Sequence, residues 1–131
     1  EVRNISRDER HLMTTNSPTV LLVEDECLVC CEIAEDLRRA GFIVHETASA
    51  EDAIEYAQSG HRIDVVFTDI DLKGRLTGWD VAERIRAIYP DVRIVYASGH
   101  AIERSRCVAD SRFFDKPYNC ADVVKACRRK D

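Results

Sequence analysis

The sequence predicts an α/β fold: a doubly wound, five-stranded parallel sheet with helices on both faces. Three observations carry this. Short apolar runs rich in Val, Ile and Phe recur at Thr19–Val23, Phe42–His45, Ile63–Thr68, Val92–Ala97 and Arg112–Phe114. These runs are nearly continuous rather than alternating, which is how strands covered on both faces read. Segments of helical period lie between them, so strand and helix alternate along the chain. The length of 131 residues suits one domain, which buries roughly two-thirds of its unfolded surface and folds without staples.

Each helix has its own signals. Val29, Ile33, Leu37 and Ala40 fall on one helical face, and Gly41 follows as a C-terminal stop. Ser49-Ala50-Glu51-Asp52 resembles a capping box, opening a helix with Ala53, Ile54 and Ala57 inward and Gly60 at its end. Val81, Ala82, Ile85, Ile88 and Tyr89 form an amphipathic stripe ended by Pro90. The segment Ala101–Ala109 predicts a short or irregular helix. Asn119 caps a last helix with Cys120, Val123, Val124 and Cys127 along one face. Residues 1–18 show no apolar period and are rich in turn formers at Thr14-Thr15-Asn16-Ser17-Pro18, so they read as a flexible leader to a domain over 19–131.

Composition excludes several classes. The hydrophobic and charged fractions, 45% and 33%, are those of an ordinary globular protein. With 19 basic against 24 acidic residues the net charge is −5, and no basic tract offers a footing for nucleic acid or an anionic membrane. The longest apolar runs are short, Val20-Leu21-Leu22-Val23 being typical, so neither a membrane span nor a secretory signal core is present, and the cytoplasm is the default expectation. The six cysteines are few for a disulfide scaffold of this length and read as free thiols. Cys27, Cys30 and Cys31 start the first helix. Cys120 and Cys127 lie on the last, in its apolar stripe, where a buried thiol behaves as a small hydrophobe.

Chemistry concentrates at the strand ends, where ligands sit in open sheets of this type. The first strand runs into Glu24-Asp25, the third into Asp69-Ile70-Asp71, the fourth into Ser98-Gly99 and the fifth into Lys116-Pro117. In a flavodoxin-like order, 2-1-3-4-5, the first and third strands are neighbours and Glu24, Asp25 and Asp69 converge. Carboxylates at close range repel, and a hard divalent cation with oxygen ligands, Mg²⁺ above all, resolves the repulsion. A nucleotide or flavin site would instead place Gly-rich amides after the first strand, where this chain has Glu24-Asp25-Glu26. A carboxylate is also a competent nucleophile toward phosphorus. Lys116 and the Ser98 hydroxyl are placed to hold phosphoryl oxygens, and Pro117 suits a cis peptide in a tight turn.

The ordered set Glu24-Asp25, Asp69, Ser98, Lys116-Pro117 resembles the receiver domain of bacterial two-component response regulators, over Thr19 to Asp131. The resemblance implies Asp69 as phosphoacceptor. It implies Asp25, Asp69 and the Asp71 backbone carbonyl as ligands of Mg²⁺ (or Mn²⁺), with Glu24 acting through water. Ser98 matches the switch hydroxyl, Lys116 the phosphate-binding lysine and Phe113 the aromatic switch position. The donor would be a sensor histidine kinase or a histidine phosphotransfer protein. The surface of the fourth helix, fifth strand and fifth helix would then change its contacts with a downstream protein, without direct nucleic-acid or membrane binding. Asp71 and His100 occupy positions that flank the phosphoryl group and tune its hydrolysis, or are loop residues without a role.

The chain departs from the family pattern where Lys73 replaces a common proline, where the stretch from Ser98 to Phe113 is short, and where Phe113 replaces the frequent tyrosine. Two rival readings remain. Asp69-Ile70-Asp71 superficially matches a haloacid-dehalogenase phosphatase, but that class places its Asp-x-Asp after the first strand. A degenerate receiver acting only as an interaction module is opposed by the intact acid pair, Asp69 and Lys116. Trp79, after Gly78, reads as a packing residue near the acidic pocket whose fluorescence reports Mg²⁺. No output domain fits in the chain, which suits a stand-alone regulator or a receiver excised from a larger regulator or hybrid kinase.

Overall fold

A computed structural model of the chain describes residues 17–100 and 104–128. Its elements run β1 (Thr19–Val23), α1 (Cys27–Arg39), β2 (Ile43–Thr47), α2 (Ala50–Gln58), β3 (Val65–Asp69), α3 (Gly78–Ile88), β4 (Arg93–Ser98), β5 (Ser111–Asp115) and α4 (Cys120–Cys127). The five strands form one parallel sheet in the order β2-β1-β3-β4-β5, as expected from the sequence. Most of the leader lies outside the described residues; at its end the Pro18 carbonyl accepts from Ile43 N at 2.9 Å, so the sheet's hydrogen bonding already includes residue 18.

Strand alternation divides the core in two. Leu21 and Val23 point to the face covered by α2 and α3, with Ala53, Ala57, Val81, Ile85 and Tyr96. Val20 and Leu22 point to the face covered by α1 and α4, with Ile33, Leu37, Val123 and Cys127. Each fully buried Val, Leu or Ile contributes about 1.5–3 kcal/mol relative to exposure. The central strands β1 and β3 are buried at every position. The edge strand β2 is mostly exposed, and β5, at the other edge, is nowhere fully buried. Their apolar runs are covered less fully than the sequence suggests, because an edge strand lacks a neighbour on one side.

The helix boundaries follow their signals. Gly41 (φ 100°) and Gly60 (φ 85°) take the left-handed conformation that ends α1 and α2. Ser49 Oγ accepts from Asp52 N at 3.1 Å, and Asn119 Oδ1 from Ala121 N at 2.8 Å. The expected helix over Ala101–Ala109 is corrected. Residues 101–103 lie outside the described part, and 104–110 form turns rather than a helix. That stretch has no apolar stripe to bury; only Cys107 and Val108 reach the core edge. Side chains tie it down instead. Arg106 pairs with Glu83 at 2.8 Å and Asp80 at 3.4 Å, Arg86 donates to the Ala109 carbonyl at 2.7 Å, and Val108 N donates to Tyr96 Oη at 3.0 Å.

Candidate functional site

The parallel sheet carries the C-terminal ends of β1, β3, β4 and β5 to one edge. Asp69 is the last residue of β3, paired with Ala97 of β4, while Ser98 pairs with Asp115 of β5. Glu24 and Asp25 follow β1 directly and lead into α1. The result is a three-carboxylate cluster: one oxygen from each of Glu24, Asp25 and Asp69 lies within 4.8 Å of the others. Glu24 and Asp69 are 5% and 8% exposed, so little water screens their mutual repulsion.

Lys116 meets this charge from the end of β5. Its Nζ lies 3.2 Å from Glu24 Oε1 and 3.3 Å from Asp69 Oδ2. The Lys116–Pro117 peptide is cis, and Lys116 N donates to the Ser98 carbonyl at 2.8 Å, tying this turn to β4. Glu24 Oε2 accepts from Glu26 N at 3.0 Å, and Asp25 Oδ2 accepts from Lys73 N at 2.9 Å. Asp69 Oδ1 is buried and finds no hydrogen-bond partner among the described residues.

The electrostatics follow from this geometry. Burial pushes the Asp69 carboxyl up to about 6, against the pull of Lys116 and with the push of Glu24 and Asp71. Burial alone would lower the Lys116 ammonium, but Asp69 and Glu24 outweigh it and hold it above the ordinary lysine value. One lysine therefore offsets three carboxylates incompletely. The orphaned Asp69 Oδ1 marks where further positive charge is needed.

The remaining residues singled out from the sequence form two neighbouring groups. In the first, Ser98 Oγ lies 3.3 Å from both Asp71 Oδ2 and the His100 carbonyl and accepts from His100 N at 3.2 Å. His100 Nε2 stands 3.8 Å from Asp71 Oδ2, with both side chains exposed. Ser98 thus faces Asp71 rather than Asp69. In the second, Phe113 packs half-buried with Trp79 and Tyr96, at centroid distances of 6.1 and 6.0 Å. Arg104 lies over the outer face of its ring at 4.1 Å.

Sequence reasoning missed two structural supports of the site. A Cβ on Gly78 would lie 2.2 Å from the Asp69 carbonyl oxygen, so only glycine lets α3 begin against the end of β3. Gly78 N donates to the Ile70 carbonyl at 2.9 Å, fixing that approach. The other is the cap of α3, where Thr77 N donates to Asp80 Oδ2 at 2.8 Å. The spacing Thr77-x-x-Asp80 before an apolar stripe was an available signal for it.

Comparison with known proteins accounts for this arrangement. The family model for the response regulator receiver domain matches residues 20–128. A response regulator receiver protein from Sinorhizobium medicae WSM419 superposes with a TM-score of 0.83 at 38% identity, over 86% of this chain and 93% of that one. The sensor kinase CckA of Brucella abortus is 32% identical over 115 residues, and the transcriptional regulatory protein PdtaR of Mycobacterium tuberculosis 32% over 111. These alignments take in 84% and 82% of this chain, but only 12% of CckA and 53% of PdtaR. The chain belongs to the response regulator receiver family. As such it serves in phosphorelay signalling: receiver domains accept a phosphoryl group from histidine kinases and bind Mg²⁺ at an acidic pocket. Among the described residues, no helix is long and apolar enough to cross a membrane.

Proposed function

We propose that Asp69 is the phosphoacceptor and that the chain is a switch rather than an enzyme with an external substrate. The observation that supports this best is the buried, unpartnered Asp69 Oδ1 beside Glu24, Asp25 and Lys116. A carboxylate oxygen free of hydrogen bonds is a competent nucleophile toward phosphorus. Lys116, already 3.3 Å from Asp69, transfers its hydrogen bonds to a phosphoryl oxygen as charge builds there. Ser98 supplies a second donor once its hydroxyl turns from Asp71.

The same carboxylates fit a hard divalent cation. Asp25, Asp69 and the Asp71 backbone carbonyl would hold Mg²⁺ or Mn²⁺ directly, with Glu24 through water. When bound, the ion neutralises the incoming phosphoryl group's charge. Asp25 is held for this by Lys73 N, and Glu24 by Glu26 N and Lys116. The donor is a sensor histidine kinase or histidine phosphotransfer protein. Transfer and later hydrolysis are catalysed by this chain's own pocket, and Phe113 reports the state of Ser98 to a downstream protein.

Incubation with acetyl phosphate and Mg²⁺, followed by intact mass, tests the reading. One labile phosphoryl adduct is expected, absent in Asp69→Asn and in the presence of EDTA. Continuous turnover of a phosphate ester without an adduct would support a phosphatase instead.

A further inference from the structure

The loop after β3 carries two cations, Lys73 and Arg75, on either side of Gly74 (φ 112°). Both side chains are exposed, and neither makes an ion pair among the described residues. The Glu51 carboxylate lies beside Gly74, 3.5 Å from where a Cβ would stand, yet pairs with neither neighbour. Lys73 is tied to the site through its main chain. Its N donates to Asp25 Oδ2 at 2.9 Å, and one oxygen from each of Asp25, Glu24 and Asp69 lies within 4.8 Å of the others. A lysine ammonium stands as far as about 6 Å from its own Cα, on a flexible four-carbon stem. The Lys73 ammonium therefore reaches the mouth of the pocket with no movement of the main chain.

A second observation is the charge at that mouth. Glu24, Asp25 and Asp69 cluster there, and Asp71 adds a fourth acid 3.3 Å from Ser98 Oγ. Lys116 is already committed to two of them, at 3.2 Å from Glu24 and 3.3 Å from Asp69. Even with a divalent cation bound, four acids face three positive charges. A small acyl phosphate is a dianion near neutral pH, so this mouth repels it unless a cation at the rim offsets the acids. Charges at the rim of a cleft act chiefly on the rate of encounter and on its salt dependence. Among the described residues, Lys73 is the unpaired cation whose main chain hydrogen-bonds to the cluster.

We propose that Lys73 is the recruiting cation for small anionic phosphodonors of the acyl phosphate class. This rests on the reading of Asp69 as phosphoacceptor. Lys73 meets the nonbridging oxygens of the arriving donor and brings its phosphorus to the Asp69 carboxylate. An Asp69 oxygen attacks phosphorus, and a new P–O bond forms. The bond from phosphorus to the acyl oxygen breaks, and the carboxylate leaves with the electron pair. Lys73 exchanges no proton and no bond in this step; its part is the encounter. The main-chain N of Lys73 holds Asp25, so exchanging its side chain leaves that hydrogen bond in place.

The test measures the second-order rate of adduct formation from acetyl phosphate and Mg²⁺, by intact mass of the full chain, at low and at high salt. At low salt Lys73→Ala should be slower by about 5-fold, the effect of one ion pair at an exposed rim. Lys73→Glu should be slower still, by roughly 20-fold, because the rim charge is reversed. Lys73→Arg keeps the charge and should stay within about 2-fold of wild type. High salt screens the rim, so all four rates should converge there. Lys125→Ala, which removes a charge from the last turn of α4, should match wild type throughout. Three results would overturn the proposal: Lys73→Ala as fast as wild type at low salt, a loss that persists unchanged at high salt, or no recovery in Lys73→Arg. A wild-type chain that forms no adduct at all would instead sink the phosphoacceptor reading, and this one with it.

Discussion

Asp69 carries the tension on which the site depends. Its carboxyl is 8% exposed and stands at about 6 instead of 3.8, chiefly because burial penalises its charge. A carboxyl whose pKa is raised by folding binds more protons folded than unfolded, so its contribution is most favourable at low pH and is lost as pH rises through about 6. The loss is on the order of 2 kcal/mol at neutral pH. Asp69→Asn removes that penalty. Without divalent cations, urea denaturation should find the variant more stable than wild type at pH 7 by roughly 1–2 kcal/mol, with the difference shrinking toward pH 4. A difference that stays constant over this range would contradict the cause assigned to it. Gly78 belongs to the same scale. Its absent Cβ leaves room for the Asp69 carbonyl, and Gly78→Ala should cost about 3 kcal/mol in the same assay, because backbone must move to admit the methyl group.

At the scale of elements, the described part of the connection from β4 to β5 departs from the sequence expectation. Where the sequence predicts a short or irregular helix, residues 104–110 are held by side chains: Arg104 on Asp115 and the Phe113 ring, and Arg106 on Glu83 and Asp80. Such exposed contacts contribute at most about 1 kcal/mol each. Arg104→Ala together with Arg106→Ala should therefore leave the global transition within about 2 kcal/mol. Amide exchange at 104–110 should nonetheless accelerate, because local opening draws on local contacts. Protection unchanged in the double variant would show that backbone packing, not the arginines, holds the segment. Trp79 offers a second reading at this scale. It sits one residue beyond Gly78, at a helix start pressed on the end of β3, and 4.9 Å from the Tyr96 ring. Binding of Mg²⁺ should change its emission in wild type and much less in Asp69→Asn.

At the scale of the whole molecule, most of the layout was legible because charge interrupts apolar runs so abruptly. Glu24-Asp25 after β1 and Asp69 closing β3 stand out in sequence, and parallel topology then brings them together. The partial cover of β2 and β5 does not show in their apolar runs; it follows only from the order 2-1-3-4-5, which puts both strands at the edges. The role of Gly78 was hidden: it depends on an approach between α3 and β3 that no local pattern encodes. The hold on the turns of residues 104–110 depends on ion pairs between Arg106 and acids 23 and 26 residues earlier. Contacts of that separation leave no periodic trace.

The central claim is that Asp69 is the residue that receives the phosphoryl group. Borohydride reduction of the acetyl phosphate-treated chain, followed by peptide mapping, tests it most directly, since reduction converts an aspartyl phosphate to homoserine at the site of attachment. The account predicts homoserine at position 69 only, requiring Mg²⁺. Homoserine at position 25 or 71, or a phosphoryl adduct that survives in Asp69→Asn, would contradict it.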